Sequence, residues 1–209
     1  NHSPISWGCS NPIQAIPSSP CKLSLLLTRS PKRKADPPTI KCPIISAQSK
    51  HFATEVEPER FLPAHEIAAA SDKAKSQGAT ALGLVTATRG MKAGSKPLEH
   101  ILEGVRAVRA AGHTEAHASL GFVDREALVE LKEAGLTELN HNLETGRSFF
   151  PEIVTTHTYD ERIETIRTAK SLGLRTCVGG IFGMGEKPAH RAELALQLRE
   201  LDVDEVPLN

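Results

Sequence analysis

Between residues 63 and 182 one unit recurs: a charged amphipathic stretch ends at a glycine, and a short β-prone run follows within a few residues. The junctions are 74–78 (AKSQG) into 79–86, 108–112 (VRAAG) into 114–120, 131–135 (LKEAG) into 136–141, and 169–173 (AKSLG) into 174–182. Glycine suits a helix C-terminus because it enters the left-handed conformation without a Cβ clash. Residues 97–111 place Leu98, Ile101, Leu102, Val105 and Val108 on one helical face, and residues 124–134 do the same with Leu128 and Leu131. Asp124 is a plausible N-cap, and Pro188 suits the first turn of a helix over 187–201. Helices alternating with strands imply parallel pairing through right-handed crossovers, in a closed barrel or an open doubly wound sheet. The open sheet is disfavoured: no glycine-rich phosphate turn follows a first strand, and the glycines of 179–185 (GGIFGMG) come too late. The expectation is an α/β fold, a partial TIM-type (β/α) barrel with parallel strands inside and helices outside. A full barrel takes roughly 250 residues. With about five units in 209 residues and a strand beginning near Val203, truncation at the C-terminus is expected.

Residues 1–46 differ from the rest. They hold six Lys or Arg against the single acid Asp36, eight of the 14 prolines, and three of the four cysteines, Cys9, Cys21 and Cys42. No helical or strand period runs through them, so this stretch reads as a disordered or non-native leader, and residues 47–209 as the barrel domain. A transit peptide is the alternative, opposed by prolines at 12, 17, 20, 31, 37 and 38. The cysteine spacings match no zinc or secreted disulfide framework. Hydrophobic content of 39% supports a core, and no apolar run approaches a membrane span. Lys plus Arg and Asp plus Glu both total 25, which gives no reason to invoke nucleic acid or a charged membrane surface.

Barrel chemistry sits at strand ends. Asn140, Asn142 and Glu144 alternate across 139–145 (LNHNLET), which would aim two amides and a carboxylate into one cavity. The amides can serve a urea or carbonyl and the carboxylate the hydroxyls of a ribose; a capped loop is the structural alternative. His117 and Cys177 are of metal-ligand type, equally readable as core residues. Arg162 could pair with a ligand carboxylate or lie on a solvated helix face. His51, His65, His100, His113 and His190 show no partner spacing. A Schiff-base aldolase is disfavoured, since these strands carry no lysine.

The run 139–145 closely resembles the asparagine–histidine–asparagine signature of biotin synthases. Residues 148–162 (SFFPEIVTTHTYDER), 177–186 (CVGGIFGMGE) and 204–209 (DEVPLN) continue the likeness in the same order. The resemblance covers about 47–209 and implies a radical S-adenosylmethionine enzyme. Asn142, Glu144 and Arg162 would hold the ribose and carboxylate of S-adenosylmethionine, with Ile181 against the adenine. Asn140, Asn142 and Asn209 would hold dethiobiotin, whose ring is closed with sulfur from an auxiliary iron–sulfur cluster. An electron donor such as flavodoxin or ferredoxin, a homodimer, and a cytoplasmic or alternatively mitochondrial setting belong to the same implication. Two departures stand out. The family's CxxxCxxC triad for its 4Fe–4S cluster falls on Thr39, Pro43 and Ser46, with Cys42 one place out of register. The auxiliary-cluster cysteines fall on Gly83, His117 and Cys177, and His117 and Cys177 are the candidate metal ligands that remain. A related radical enzyme with another substrate or sulfur source, or a non-catalytic remnant, are the rival readings.

Overall fold

The computed structural model describes residues 61–86 and 88–209, together with the backbone of 24–28. In chain order the elements are β1 (Ser24–Thr28), α1 (Ala64–Ser76), β2 (Ala81–Val85), β3 (Gly90–Met91), α2 (Lys96–Ala111), β4 (Glu115–Ser119), β5 (Phe122–Val123), α3 (Arg125–Ala134), β6 (Leu136–Asn140), α4 (Phe150–Ile153), α5 (Tyr159–Ser171), β7 (Arg175–Cys177) and α6 (Pro188–Leu201). The main sheet has the order β1-β2-β4-β6-β7. Its β2–β4, β4–β6 and β6–β7 pairs are parallel, each reached through a helical crossover, as in an arc of a (β/α) barrel. β1 lies inside the stretch read as an irregular leader, yet its backbone pairs antiparallel with β2.

The helices form where amphipathic spacing and capping chemistry agree. Asp124 caps α3, its Oδ1 accepting from the Ala127 amide at 2.9 Å, and Ser95 caps α2. Gly112 and Gly135 end α2 and α3 at φ 68° and 118°, a region that would strain a residue with a Cβ. Leu98, Ile101, Leu102, Val105 and Val108 of α2 are buried, as are Ala127, Leu128, Leu131 and Ala134 of α3. These faces cover Leu82 and Leu84 of β2, Ala116 and Ala118 of β4 and Leu139 of β6, forming one core. Each fully buried aliphatic side chain contributes about 1.5 to 3 kcal/mol. A second core, of Leu143, Phe150, Ile163, Ile166, Val178, Leu194 and Leu198, joins α5 and α6 to the strand ends.

Two features exceed the sequence reading. β3 and β5 make a small parallel sheet of their own, in segments too short for periodicity to show. Residues 203–209 run along β7 and its continuation: the amides of Val178, Gly180 and Phe182 donate to the carbonyls of Glu205, Pro207 and Asn209. Where a strand is expected near Val203, the segment makes isolated parallel bridges, Cys177 with Glu205 and Gly180 with Leu208. Its approach is so close that a Cβ at Gly179 would stand 1.8 Å from the Pro207 carbonyl oxygen. Gly179→Ala is therefore expected to detach 203–209. Amide exchange at Val178, Gly180 and Phe182 should accelerate while β2 and β4 stay protected; unchanged protection at Phe182 would contradict this.

Candidate functional site

The loop after β6 is built by the neighbouring strand. Past Asn140 the amide of His141 donates to Cys177 O, those of Leu143 and Glu144 donate to Gly179 O, and Ile181 N donates back to Glu144 O at 2.7 Å. Glu144 takes φ 69°, unusual for a residue with a side chain, so the chain turns sharply there instead of extending the strand. The even alternation expected over 139–145 thus stops at Asn140. Asn142 turns its Oδ1 to the Gly179 amide at 3.0 Å and pins the two loops together. Asn140 Oδ1 is buried and has no hydrogen-bond partner among the described residues.

Arg162 comes to this loop from α5. Thr158 caps that helix in a capping box with Glu161, which sets the first turn against the loop. Arg162 Nη1 donates to Asn142 O at 2.6 Å and lies 3.5 Å from Glu144 Oε1. Its side chain is 12% exposed, so it is not on a solvated helix face. Burial raises the Glu144 carboxyl pKa, and the Arg162 charge only partly opposes this. Ile181 is 37% exposed beside Glu144, to which its amide is bonded. Asn209 is exposed and bonds through its backbone to Gly180 and Phe182. Asn142 and Glu144 of the loop after β6, Ile181 of the loop after β7, Arg162 of α5 and Asn209 of the segment after α6 are thus linked through these bonds. The Gly183–Glu186 turn beside them is closed by Glu186, which accepts from the Gly183 and Met184 amides and from Arg191. These bonds hold its pKa down at about 2.

A second polar group lies lower, along the strands. Gly83 stands opposite His117 in the β2–β4 register, and His117 opposite Glu138 in β4–β6. His117 Nδ1 is 3.0 Å from Glu138 Oε1, and its Nε2 is 3.3 Å from Glu115 Oε2 and 3.2 Å from Arg175 Nη2. Arg175 also pairs with Glu115 and, at 3.4 Å, with Glu138. Burial opposes charging His117, but Glu138 and then Glu115 outweigh it, so its pKa is raised. Cys177 lies two residues beyond Arg175 on β7, its thiol pushed up to about 12 by burial, with Glu138 and Glu205 adding to the effect.

This donor set does not fit an auxiliary iron–sulfur cluster. Gly83 offers no ligand atom, both His117 nitrogens face charged partners, and Cys177 is held as a thiol. Ligand atoms of Glu138, Cys177 and Glu205 do lie within 4.8 Å of one another, a grouping able to hold a metal ion. Glu138 and Glu115 are already engaged by Arg175 and by the His117 ring, however. Sequence reasoning singled out His117 and Cys177 but missed Glu115, Glu138 and Arg175. Glu138 and Arg175 alternate with Asn140 and Cys177 on their strands, a spacing that could have found them.

The sequence model described as Radical SAM superfamily matches residues 42–198. The chain belongs to the radical SAM superfamily. Among curated proteins this radical SAM chain is 47% identical over 163 residues to the biotin synthase of Trichlorobacter lovleyi, covering 78% of the chain and 49% of the relative. It is 44% identical over 172 residues to that of Geobacter sulfurreducens (81% and 52%) and 49% identical over 165 residues to that of an Anaeromyxobacter species (78% and 44%). The chain spans about half the length of these relatives. Among solved structures it is similar to methylornithine synthase (PylB), with TM-score 0.63 and 21% identity over 74% of this chain and 45% of the other. Streptococcus suis SuiB bound to its precursor peptide gives TM-score 0.56 and 14% identity over 75% and 34%. These two likenesses support the fold. Membership implies S-adenosylmethionine and a 4Fe–4S cluster as the family's cofactors. Residues 39, 43 and 46, where the triad is expected, lie outside the described residues, as do Cys9, Cys21, Cys42 and His51. Thr39, Pro43 and Ser46 supply no thiolate. No described helix is long and apolar enough to cross a membrane.

The lower network has a thermodynamic consequence. Because the folded pKa of His117 is raised, its ion pairs stabilise fully below the unfolded value of about 6.5 and fade as pH rises through the folded value. Urea-unfolding midpoints of the wild type should therefore fall over that interval, whereas those of His117→Gln should not. Parallel pH profiles of the two proteins would show His117 to be neutral in the fold.

Proposed function

We propose that this chain carries the S-adenosylmethionine-binding and dethiobiotin-binding face of a biotin synthase-type enzyme, whose reaction inserts sulfur into dethiobiotin. The observation that carries the reading is the convergence of Glu144, Arg162 and Ile181 on adjoining strand-end loops, in a chain whose curated relatives are biotin synthases. Glu144 would accept from the ribose hydroxyls, Arg162 would donate to the cofactor's carboxylate, and Ile181 would cover the adenine. Asn140 Oδ1, a buried acceptor without a partner, suits an N–H of the substrate's cyclic urea. Asn142 contributes by holding the two loops together, and Asn209 by its exposed amide at the same edge.

A 4Fe–4S cluster, when bound, supplies the electron that cleaves S-adenosylmethionine to a deoxyadenosyl radical. Residues 39–46 do not fit such a group, so no step of this chain is routed through it. Anaerobic iron–sulfide reconstitution followed by a reductant should yield no stoichiometric deoxyadenosine; its formation would mean that other ligands replace the triad. The electron donor would be a flavodoxin or ferredoxin, a homodimer is compatible with the reading, and the bacterial relatives favour a cytoplasmic setting. The lower network favours a second reading, a radical enzyme that takes sulfur from elsewhere or uses another substrate, because Gly83 and His117 leave no auxiliary cluster.

Binding titrations separate the roles. Glu144→Gln keeps size but weakens charge-assisted bonds, so S-adenosylmethionine affinity should fall by about 1 to 3 kcal/mol while dethiobiotin affinity changes less. Asn209→Ala should show the opposite bias. Equal losses for both ligands in both variants would refute these assignments.

A further inference from the structure

His157 has no role in the reading above, yet its ring accepts a hydrogen bond from Arg162. The capping box places Thr158 at the N-cap of α5, which makes His157 the residue before the cap and Arg162 the fourth residue of the helix. In many helices these two positions hold apolar side chains that touch and fix the angle at which the chain enters. Here the contact is polar: Arg162 Nε donates to His157 Nε2 at 2.9 Å. A ring nitrogen that accepts from a guanidinium must carry a lone pair, so the proton sits on Nδ1, which then donates to Thr156 Oγ1 at 2.9 Å. The ring is wedged edge-on between Phe122, at 4.9 Å and 76°, and Phe150, at 5.7 Å and 63°. Burial, reinforced by the Arg162 charge, keeps the ring neutral, with its pKa lowered to about 4.

With Nε committed to His157 and Nη1 to Asn142 O and Glu144, the guanidinium plane is fixed, and Nη2, without a hydrogen-bond partner among the described residues, is the donor for an incoming anion. We propose that His157 is a positioning residue that aims Arg162 at a ligand carboxylate. This rests on the cofactor reading of Glu144 and Arg162 given above. The aromatic wedge holds the ring, the ring holds Nε, and the plane of the fork follows. A bidentate or charge-assisted contact depends on that plane, so the clamp governs affinity for the carboxylate end of the ligand more than for its nucleoside end.

The test uses the chain as it stands, with two probes: S-adenosylmethionine, which has the carboxylate, and 5′-methylthioadenosine, which lacks it. His157→Phe keeps a ring between Phe122 and Phe150 but removes the acceptor; His157→Gln returns an acceptor without the ring. The Phe variant should lose about tenfold in S-adenosylmethionine affinity and keep its affinity for methylthioadenosine, with the Gln variant recovering most of the loss. Losses equal for both probes, or no loss, would overturn the proposal. If the wild type binds neither probe, the cofactor reading fails and takes the proposal with it. The 15N spectrum of His157 gives a check independent of ligand: an Nδ1-protonated, Nε2-accepting ring is expected, and the opposite tautomer would overturn the proposal even in a chain that binds both probes.

Discussion

The backbone exchange between the ends of β6 and β7 is the constraint on which the upper site depends. Once β6 ends at Asn140, the chain would be free to leave the sheet; instead it donates three amides to Cys177 and Gly179 and receives one from Ile181. Those bonds stop the alternation of a strand and force Glu144 into its left-handed conformation. The same exchange demands glycine on the β7 side, because 203–209 approaches from the other edge and Glu144 O lies 2.8 Å from where a Gly180 Cβ would be. Two glycines thus let three backbone segments meet at one place, and the polar side chains they carry are brought together as a result.

Electrostatics divide the polar residues of these strands and strand ends into two groups. At the upper level Arg162 faces one carboxylate, Glu144, whose ionisation burial disfavours. Arg162 is held as well by His157 Nε2 and Asn142 O, which sets it beside Glu144 where a polar ligand could bond to both. At the lower level Glu115, His117, Glu138 and Arg175 form an ion-pair network across β4, β6 and β7, with Glu138 fully buried and Arg175 partly in solvent, while His117 Nδ1 and Glu138 Oε1 lack a well-formed hydrogen bond among the described residues. The upper level gathers the residues of the proposed ligand site, and the lower level holds paired charges where resemblance alone would place the auxiliary cluster's chemistry.

Much of this was legible in the chain itself. Apolar spacing and glycine stops locate α2 and α3, and a first-turn proline locates α6, to within a residue, because burial and capping are local physics that a sequence displays directly. Glu144 and Arg162 were legible through motif likeness, and the structure joins them. What could not be read was any pairing set by register between distant segments. Glu115, Glu138 and Arg175 come from three different strands, so no local period links them. The bend at Glu144 was hidden for a related reason: it is imposed by amides and carbonyls of residues 179–181, not by its own neighbours. His157 is a different case, since its contact with Arg162 puts a hydrogen bond where an apolar pair is common.

Cys177 lies at the junction of these levels, buried, beside two carboxylates, and held as a neutral thiol. Alkylating reagents and mild oxidants attack the thiolate, which is scarce at neutral pH when the pKa stands near 12. In the native chain Cys177 is consequently shielded from chemical labelling, and its modification becomes a marker of unfolding. Rapid uptake of a thiol reagent at this position reports that β7 has parted from its neighbours.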